Sequence, residues 1–307
     1  MIANTQIYGK HFDADIGVIF NDGYASASSE FDKIAKIKTA PPGNHYTEAE
    51  VSPLGELRLV PEGTGVQFDT PEEGHEKTIY FKKYGLGFQI TPEMYKDDLF
   101  RNFEKMPNKL SKSAAYNRET SFWDLFNTAF VTTYHTAWDA KALCAGDRTT
   151  LKGAVTVGNE PASGAALSET TIQAAFEHFD TLKDQAGLKT IIPEMPYKLV
   201  TDVANRWTVG KLYKQEFNLG SANRDLLTTN PENQMIEPWE PFLTRFMVDS
   251  NRWFLLPANH DFRFWWKEQA TLTSWDDLYT DGAMFKVFMR YAAFLMDPSM
   301  LWGNPGS

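Results

Sequence analysis

The chain has 307 residues, a net charge of −10 and a pI of about 5.2. This acidic total argues against a dedicated nucleic-acid reader, which usually carries a basic domain, but it leaves room for a local basic face. The single cysteine, Cys144, excludes an internal disulfide and favours folding in a reducing compartment. The N-terminus does not have the form of a signal peptide, and no run approaches 18 apolar residues. The sequence therefore predicts a protein made in a cytoplasm, with no membrane partner.

Residues 1–50 show weak periodicity and many small or polar side chains. We interpret them as an extended N-terminal arm, with one short helix predicted over Glu30–Lys38 before the Pro41-Pro42 pair.

A long hairpin is predicted over residues 51–90. Its tip is punctuated by glycine and proline, and we interpret it as polar; strands are predicted at Ile79–Phe81 and Phe88–Ile90, with a kink at Gly85-Leu86-Gly87. An isolated hairpin of this length is marginal in water, so we expect a second copy of the protein to cover it. The residues predicted to make this contact are Arg58, Pro61, Glu62, Gly63, Thr64 and Gly65.

One long helix is predicted across residues 92–134. It is capped at Thr91-Pro92-Glu93 and interrupted near Pro107. Four basic residues fall on nearly one face of it: Arg101, Lys105, Lys109 and Lys112. They are either a solvated face or a stripe that meets acidic neighbours or a phosphate backbone. A second basic set, on the polar side of the C-terminal strands, suits weak, sequence-independent contact with DNA; its members are Arg263, Lys267, Lys286 and Arg290.

The second half of the chain mixes helices and strands. Ser168 is a predicted N-cap, followed by a helix with a buried stripe; a strand over Tyr197–Val200 and a helix over Asp202–Lys214 come next. An apolar strand is predicted at Trp253–Leu256. Period-2 alternation then predicts two half-buried strands, around residues 262–267 and 285–291.

Catalytic motifs are missing from the sequence. Gly85-Leu86-Gly87 is not a dinucleotide fingerprint, because Ile90 occupies the third glycine position. The six histidines are scattered, so zinc is unsupported, and no motif supplies a base that would activate Cys144. We predict no catalytic residue, no metal site and no cofactor.

The order of these elements resembles that of the major capsid proteins of tailed bacteriophages, which have the Hong Kong 97-type fold. The hairpin entering Thr91–Asp98 is similar to their extended loop running into the spine helix. Other segments resemble the end of the spine helix, the turn after it and the closing strands: Leu125–Phe130, Asp139–Cys144, Trp253–Leu256 and Phe294–Pro298.

This resemblance implies an α+β protein with an N-terminal arm, an extended β-hairpin loop, a spine helix, a peripheral β-sheet domain and a central axial α/β domain. The implied bounds are 1–50 for the arm, 51–90 for the loop, 91–137 with 260–307 for the peripheral domain, and 138–259 for the axial domain. The implied function is self-assembly, through pentamers and hexamers, into the icosahedral shell of a virion that encloses double-stranded DNA.

The resemblance also implies partners. Residues 51–76 contain no lysine, only Arg58, which favours a shell held by non-covalent contacts over one crosslinked through a loop lysine. No long charged helical segment precedes the arm, so a separate scaffolding protein is implied, unless a leader was removed before Met1. A portal is a further implied partner.

Two other classes of protein stay open at this point. A cytosolic enzyme of unknown type should be a discrete small oligomer with a concave polar site. A tail or decoration protein of a phage is the third alternative. Fold alone does not decide among functions.

Overall fold

The structure is a computed structural model that describes residues 16–91, 105–152, 155–189, 191–213, 239–276 and 282–307. These residues form two compact units. The first takes the described residues up to Tyr46 with those of Thr78–Asp124 and Phe262–Phe294, and the second takes Thr47–Lys77, Leu125–Asp261 and Leu295–Ser307. This division runs through the hairpin that the sequence analysis treated as a separate region.

The N-terminal region packs into the first unit. Residues 16–25 form helix α1, a 3-10 turn covers Phe31–Lys33, and strand β1 covers Lys36–Thr39. Ile16, Phe20 and Phe31 are buried, so the described part of this region is not the extended arm that we predicted. The helix predicted over Glu30–Lys38 is also wrong. Its second half pairs with a distant strand, which outweighs local propensity.

The first unit contains a four-stranded sheet. Strands β4 (Lys82–Ile90), β8 (Phe262–Asp276) and β9 (Ala283–Leu295) join β1 in the order β1-β8-β9-β4. Strand β1 runs parallel to β8, with Lys36 opposite Arg263, and β4 runs antiparallel to β9. The predicted kink in β4 is wrong, because β4 pairs with β9 along its whole length. Gly87 instead lets the backbones of β4 and β9 lie close together, because a Cβ there would be 2.6 Å from the backbone oxygen of Phe285.

The core of the first unit is aromatic. The Phe31 ring lies 4.6 Å from that of Phe264 and 5.6 Å from that of Phe122, and Phe264 lies 4.8 Å from Tyr291. The alternation predicted for β9 is confirmed by its buried side chains, Phe285, Val287, Met289 and Tyr291. In β8 it holds for Phe262 and Phe264, but Trp265, expected on the polar side, is buried, whereas Trp266 is only partly buried. Aromatic pairs of this kind add stability beyond the area that they bury.

The long helix, α2, spans Met106–Asn127. Pro107 lies in its first turn, where proline is tolerated because the missing N–H has no partner there in any helix. Within the described residues, α2 therefore begins at the place near Pro107 where an interruption was predicted. It ends at Asn127 instead of continuing to residue 134. The predicted start at Thr91-Pro92-Glu93 lies largely outside the described residues.

The second unit is built on another four-stranded sheet. Strands β5 (Tyr197–Asp202), β6 (Trp239–Thr244), β7 (Trp253–Leu256) and β10 (Trp302–Asn304) follow the order β10-β7-β5-β6. Strand β5 is parallel to β6 and antiparallel to β7. The strands predicted at 197–200 and 253–256 are confirmed.

Helices complete the second unit. Helix α3 (Glu169–Asp180) has the predicted N-cap: the Ser168 hydroxyl accepts from the Thr171 amide, and the Thr171 hydroxyl accepts in return from the Ser168 amide. The apolar side of α3 packs on the sheet residues, with Ile172, Ala175, Phe176 and Phe179 buried. Short 3-10 turns lie at Val203–Asn205 and Pro298–Met300, and α4 spans Arg206–Tyr213.

A separate two-stranded sheet consists of β2 (His45–Val51) and β3 (Glu73–Tyr80). Residues 52–72 connect these strands without regular secondary structure; we call this segment the extended loop. None of the helices in the described ranges is long and apolar enough to cross a membrane.

Candidate functional site

The extended loop is closed at its base by backbone contacts. The Ser52 amide donates to the Glu72 carbonyl at 2.9 Å, and the Glu72 amide donates to the Ser52 hydroxyl at 2.9 Å. Further out, the Gly55 amide donates to the Asp69 carboxylate at 2.7 Å, and Arg58 donates to the Gln67 side chain at 2.7 Å. These bonds hold the two limbs of the loop together without a strand ladder.

The tip of the extended loop is a hydrogen-bonded turn. The Thr64 amide and hydroxyl both donate to the Pro61 carbonyl, at 3.1 and 2.7 Å, and Gly63 has a φ of 84°, which favours glycine. All six predicted contact residues, Arg58 and those from Pro61 to Gly65, are exposed and lie on this segment. Their contact with a neighbouring subunit stays a prediction.

The extended loop is less polar than we predicted. Three large apolar side chains stand almost free of any cover: Leu57 is 97% exposed, Leu59 94% and Phe68 97%. Leu54, Val60 and Val66 are exposed beside them in the sequence. Exposed apolar residues that are clustered in this way mark interaction surfaces. Sequence reasoning missed them because glycine and proline dominated the interpretation of the segment.

A salt bridge joins the extended loop to the rest of the second unit. The Lys152 ammonium lies 3.0 Å from the Asp69 carboxylate and also donates to the Thr70 carbonyl at 3.0 Å. The Gly55 amide, followed by Lys152, holds the pKa of Asp69 below its usual range. The loop therefore leaves the unit in a defined direction.

The strands at the base of the extended loop carry buried titratable groups. The Glu50 carboxylate on β2 lies 3.3 Å from Nδ1 of His75 on β3. Burial raises the pKa values of Glu50 and of Asp297. The Lys77 ammonium donates to the carbonyls of Thr136 and Leu295, and burial lowers its pKa to about 8. None of these groups was singled out by motif, since they are far apart in sequence.

Three members of the predicted basic stripe are described. Lys105 directly precedes α2, and Lys109 and Lys112 lie in its first two turns; all three are exposed. Their spacing of four and three residues places them on one side of a helix. Arg101 lies outside the described residues.

The second basic set is engaged within the first unit. Arg290 pairs with Glu268 at 3.1 Å, and Lys267 donates to the Pro41 carbonyl at 2.7 Å. The cations of Arg263 and Lys286 lie over aromatic rings, of Trp265 and Trp275 respectively. These four residues are therefore poorer candidates for DNA contact than the sequence suggested.

The candidate nucleophile Cys144 lies in an environment that disfavours its reactive form. Cys144 is buried, and burial raises the pKa of its thiol, so the thiolate needed for nucleophilic attack is disfavoured. Within the described ranges, His, Cys, Asp and Glu form no group of three that could hold a metal ion.

Comparison with known proteins gives one family. Residues 75–303 match the family described as phage capsid protein. No curated protein sequence matches the chain.

Several solved capsids are similar in structure. The capsid protein of a native GTA particle is 11% identical, with 90% of each chain covered and a TM-score of 0.58. That of the mature capsid of bacteriophage PhiM1 is 12% identical, covering 90% of this chain and 86% of that one, with a TM-score of 0.58. That of Myoviridae phage XM1 is 13% identical, covering 92% and 93%, with a TM-score of 0.55. At identities this low the structural similarity shows a shared fold alone. It confirms the α+β capsid fold predicted from the sequence.

Proposed function

Because this chain belongs to the phage capsid protein family, we propose that many copies of it assemble into the icosahedral shell of a virion that encloses double-stranded DNA. The extended loop is the observation that carries the proposal. It projects three almost fully exposed apolar side chains, Leu57, Leu59 and Phe68, whose burial requires a second molecule.

The energetics of the extended loop favour contact between subunits. Fully burying a leucine or phenylalanine side chain stabilises by about 1.5–3 kcal/mol, so these three side chains offer roughly 5–9 kcal/mol per subunit before the cost of association. The bonds from Gly55 to Asp69 and from Arg58 to Gln67 already order the loop, which lowers that cost. Each copy gives one loop and receives another, so the gain repeats around a closed shell.

The polar residues of the tip set the direction of this contact. The turn from Pro61 to Gly65 and the charged residues Arg58 and Glu62 are exposed and lie between Leu57 and Phe68 in the sequence. Rim charges contribute more to orientation and association rate than to affinity.

The exposed lysines of α2 give the shell a basic element. We assign Lys105, Lys109 and Lys112, together with Arg101, to contact with the packaged DNA or with an acidic neighbouring subunit. A few lysines in one row suit phosphate contacts that are independent of sequence.

Assembly accounts for the whole function under this proposal. The subunit has no catalytic activity and needs no cofactor. Its partners are further copies of itself, a scaffolding protein, a portal and the genome, and its final location is the virion.

Serine substitution of the exposed apolar side chains tests the proposal. We expect the triple variant Leu57→Ser, Leu59→Ser and Phe68→Ser to keep the subunit's melting temperature but to lose closed particles in negative-stain microscopy and sedimentation. The control variant carries Glu56→Ser and Thr70→Ser in the same loop and should assemble normally. Normal shells from the triple variant would show that these apolar side chains of the extended loop are not needed for assembly. Tubes or small discrete oligomers from the parent protein would favour the tail-protein or enzyme alternatives instead.

A further inference from the structure

A cavity of about 300 Å³ lies in the second unit beside strand β2, at the base of the extended loop. Its wall has an apolar part, which includes Val51, Leu182 and the indole of Trp138. Glu50, Asp297 and Ser299, whose side chains carry oxygen atoms, line the same cavity.

One of these oxygens, on Glu50, is buried without a hydrogen-bond partner in the part of the chain that the structure describes. The Glu50 side chain is 3% exposed; its Oε2 faces His75, whereas its Oε1 has no hydrogen-bond partner within the part of the chain that the structure describes. The Ser299 hydroxyl on the same wall faces the Asp297 carboxylate. Buried polar atoms are nearly always satisfied, so an orphaned carboxylate oxygen beside a cavity indicates a ligand.

The chemistry of the wall selects a cation. Arg148 also lines the cavity, but its guanidinium is paired with Asp139 at 2.7 Å and donates to backbone carbonyls. In their ionised forms Glu50 and Asp297 together bring two negative charges, which a divalent ion would balance. Asp297 is fixed in place because its Oδ1 accepts from the Ser299 amide at 2.8 Å.

We propose that Glu50, Asp297 and Ser299 bind a divalent cation with the coordination chemistry of calcium. The donors are all oxygens, which hard cations prefer, and calcium accepts six to eight ligands in flexible geometry, with water completing the shell. Magnesium demands a stricter octahedron and should bind more weakly. The ion would tie strand β2 to the Pro298–Met300 turn. This site does not depend on shell formation, so it can be tested on the unassembled chain.

The experiment measures thermal stability and terbium luminescence on the full chain after metal removal. Terbium(III) prefers the same oxygen ligands as calcium and luminesces when a nearby indole transfers energy to it; Trp138 on the cavity wall is that indole. The test variant is Glu50→Gln, which keeps the size of the side chain and removes its charge. The matched control is Glu73→Gln, an exposed glutamate on β3. Sodium chloride of equal ionic strength controls for screening.

We expect calcium at about ten times its Kd to raise the melting temperature by roughly 3 °C in the parent and in Glu73→Gln. Glu50→Gln should lose this shift and the terbium signal, and its metal-free melting temperature should equal or exceed that of the parent. Trp138→Phe should lose the terbium signal but keep the calcium shift.

Three results would overturn the proposal. One is the absence of a calcium shift in the parent up to about 10 mM, beyond the range of weak extracellular calcium sites; the cavity would then hold water only. The second is an equal shift in the parent and in Glu50→Gln. The third is a lower metal-free melting temperature for Glu50→Gln, which would show that a protein group neutralises Glu50, either His75 at 3.3 Å or Lys183 on the cavity wall.

Discussion

Glu119 on helix α2 fastens the N-terminal segment to the core of the first unit. Its side chain is 3% exposed and accepts three hydrogen bonds: from the backbone amides of Glu30 at 2.9 Å and Phe31 at 3.2 Å, and from the indole of Trp123 at 3.2 Å. Glu119→Ala removes the acceptor for all three donors. We therefore expect it to loosen the segment that leads into β1.

The size of the effect follows from these three bonds. A hydrogen bond to a charged group contributes about 1.5–3 kcal/mol, but burial of the carboxylate itself opposes part of this gain. We expect Glu119→Ala to lower the free energy of unfolding of the first unit by about 3–5 kcal/mol. Glu119→Gln keeps one oxygen acceptor and should cost about 1–2 kcal/mol.

Urea unfolding and amide hydrogen exchange of the unassembled chain measure this effect. The amides of Glu30 and Phe31 should exchange much faster in Glu119→Ala, whereas amides of β5 in the second unit should keep their protection. Glu177→Ala, at an exposed site on α3, is the matched control and should change neither measurement. An unchanged urea midpoint in Glu119→Ala, with both amides still protected, would refute the reasoning.

Three further predictions concern other parts of the molecule. Burial lowers the pKa of His178 to about 4, so below pH 6.5 the unfolded chain binds more protons than the folded one. The free energy of unfolding should therefore fall by about 2 kcal/mol between pH 7 and pH 5. In urea titrations His178→Phe should remove this loss, and the same pH dependence in the variant and the parent would contradict the prediction. Replacing Lys105, Lys109 and Lys112 by Gln should lower DNA retention. It should also reduce the slope of log binding constant against log salt concentration by roughly 2–3, whereas equal slopes in the variant and the parent would exclude phosphate contact. Gly87→Ala places a methyl group against the backbone of β9 and should cost about 1–3 kcal/mol in thermal unfolding; a melting temperature like the parent's would contradict the close approach.

The sequence predicted those elements whose signals are local. The alternation in β9 shows which side chains face the core, and the cap at Ser168 marks the start of α3, because period and capping are written into neighbouring residues. The end of α2 at Asn127 was missed, since apolar spacing continues past it.

Features that depend on distant partners could not be predicted in this way. Strand β1 has a sequence that also suits a helix, and only its pairing with β8 makes it a strand. Glu50 and Asp297 meet across almost the whole chain, so no motif connects them. Leu57 and Phe68 look like core residues by type, and only the fold shows that the described residues of their own subunit leave them uncovered.

The pairing of β1 with β8 also constrains the order of events during synthesis. Strand β1 cannot pair with β8 until Arg263, which lies opposite Lys36, has left the ribosome. At 5–20 residues per second this takes roughly 10–45 s after Lys36 emerges. Most of the second unit, by contrast, comes from the continuous stretch Leu125–Asp261 and can close earlier. A nascent chain therefore carries an incomplete first unit until its C-terminal third emerges.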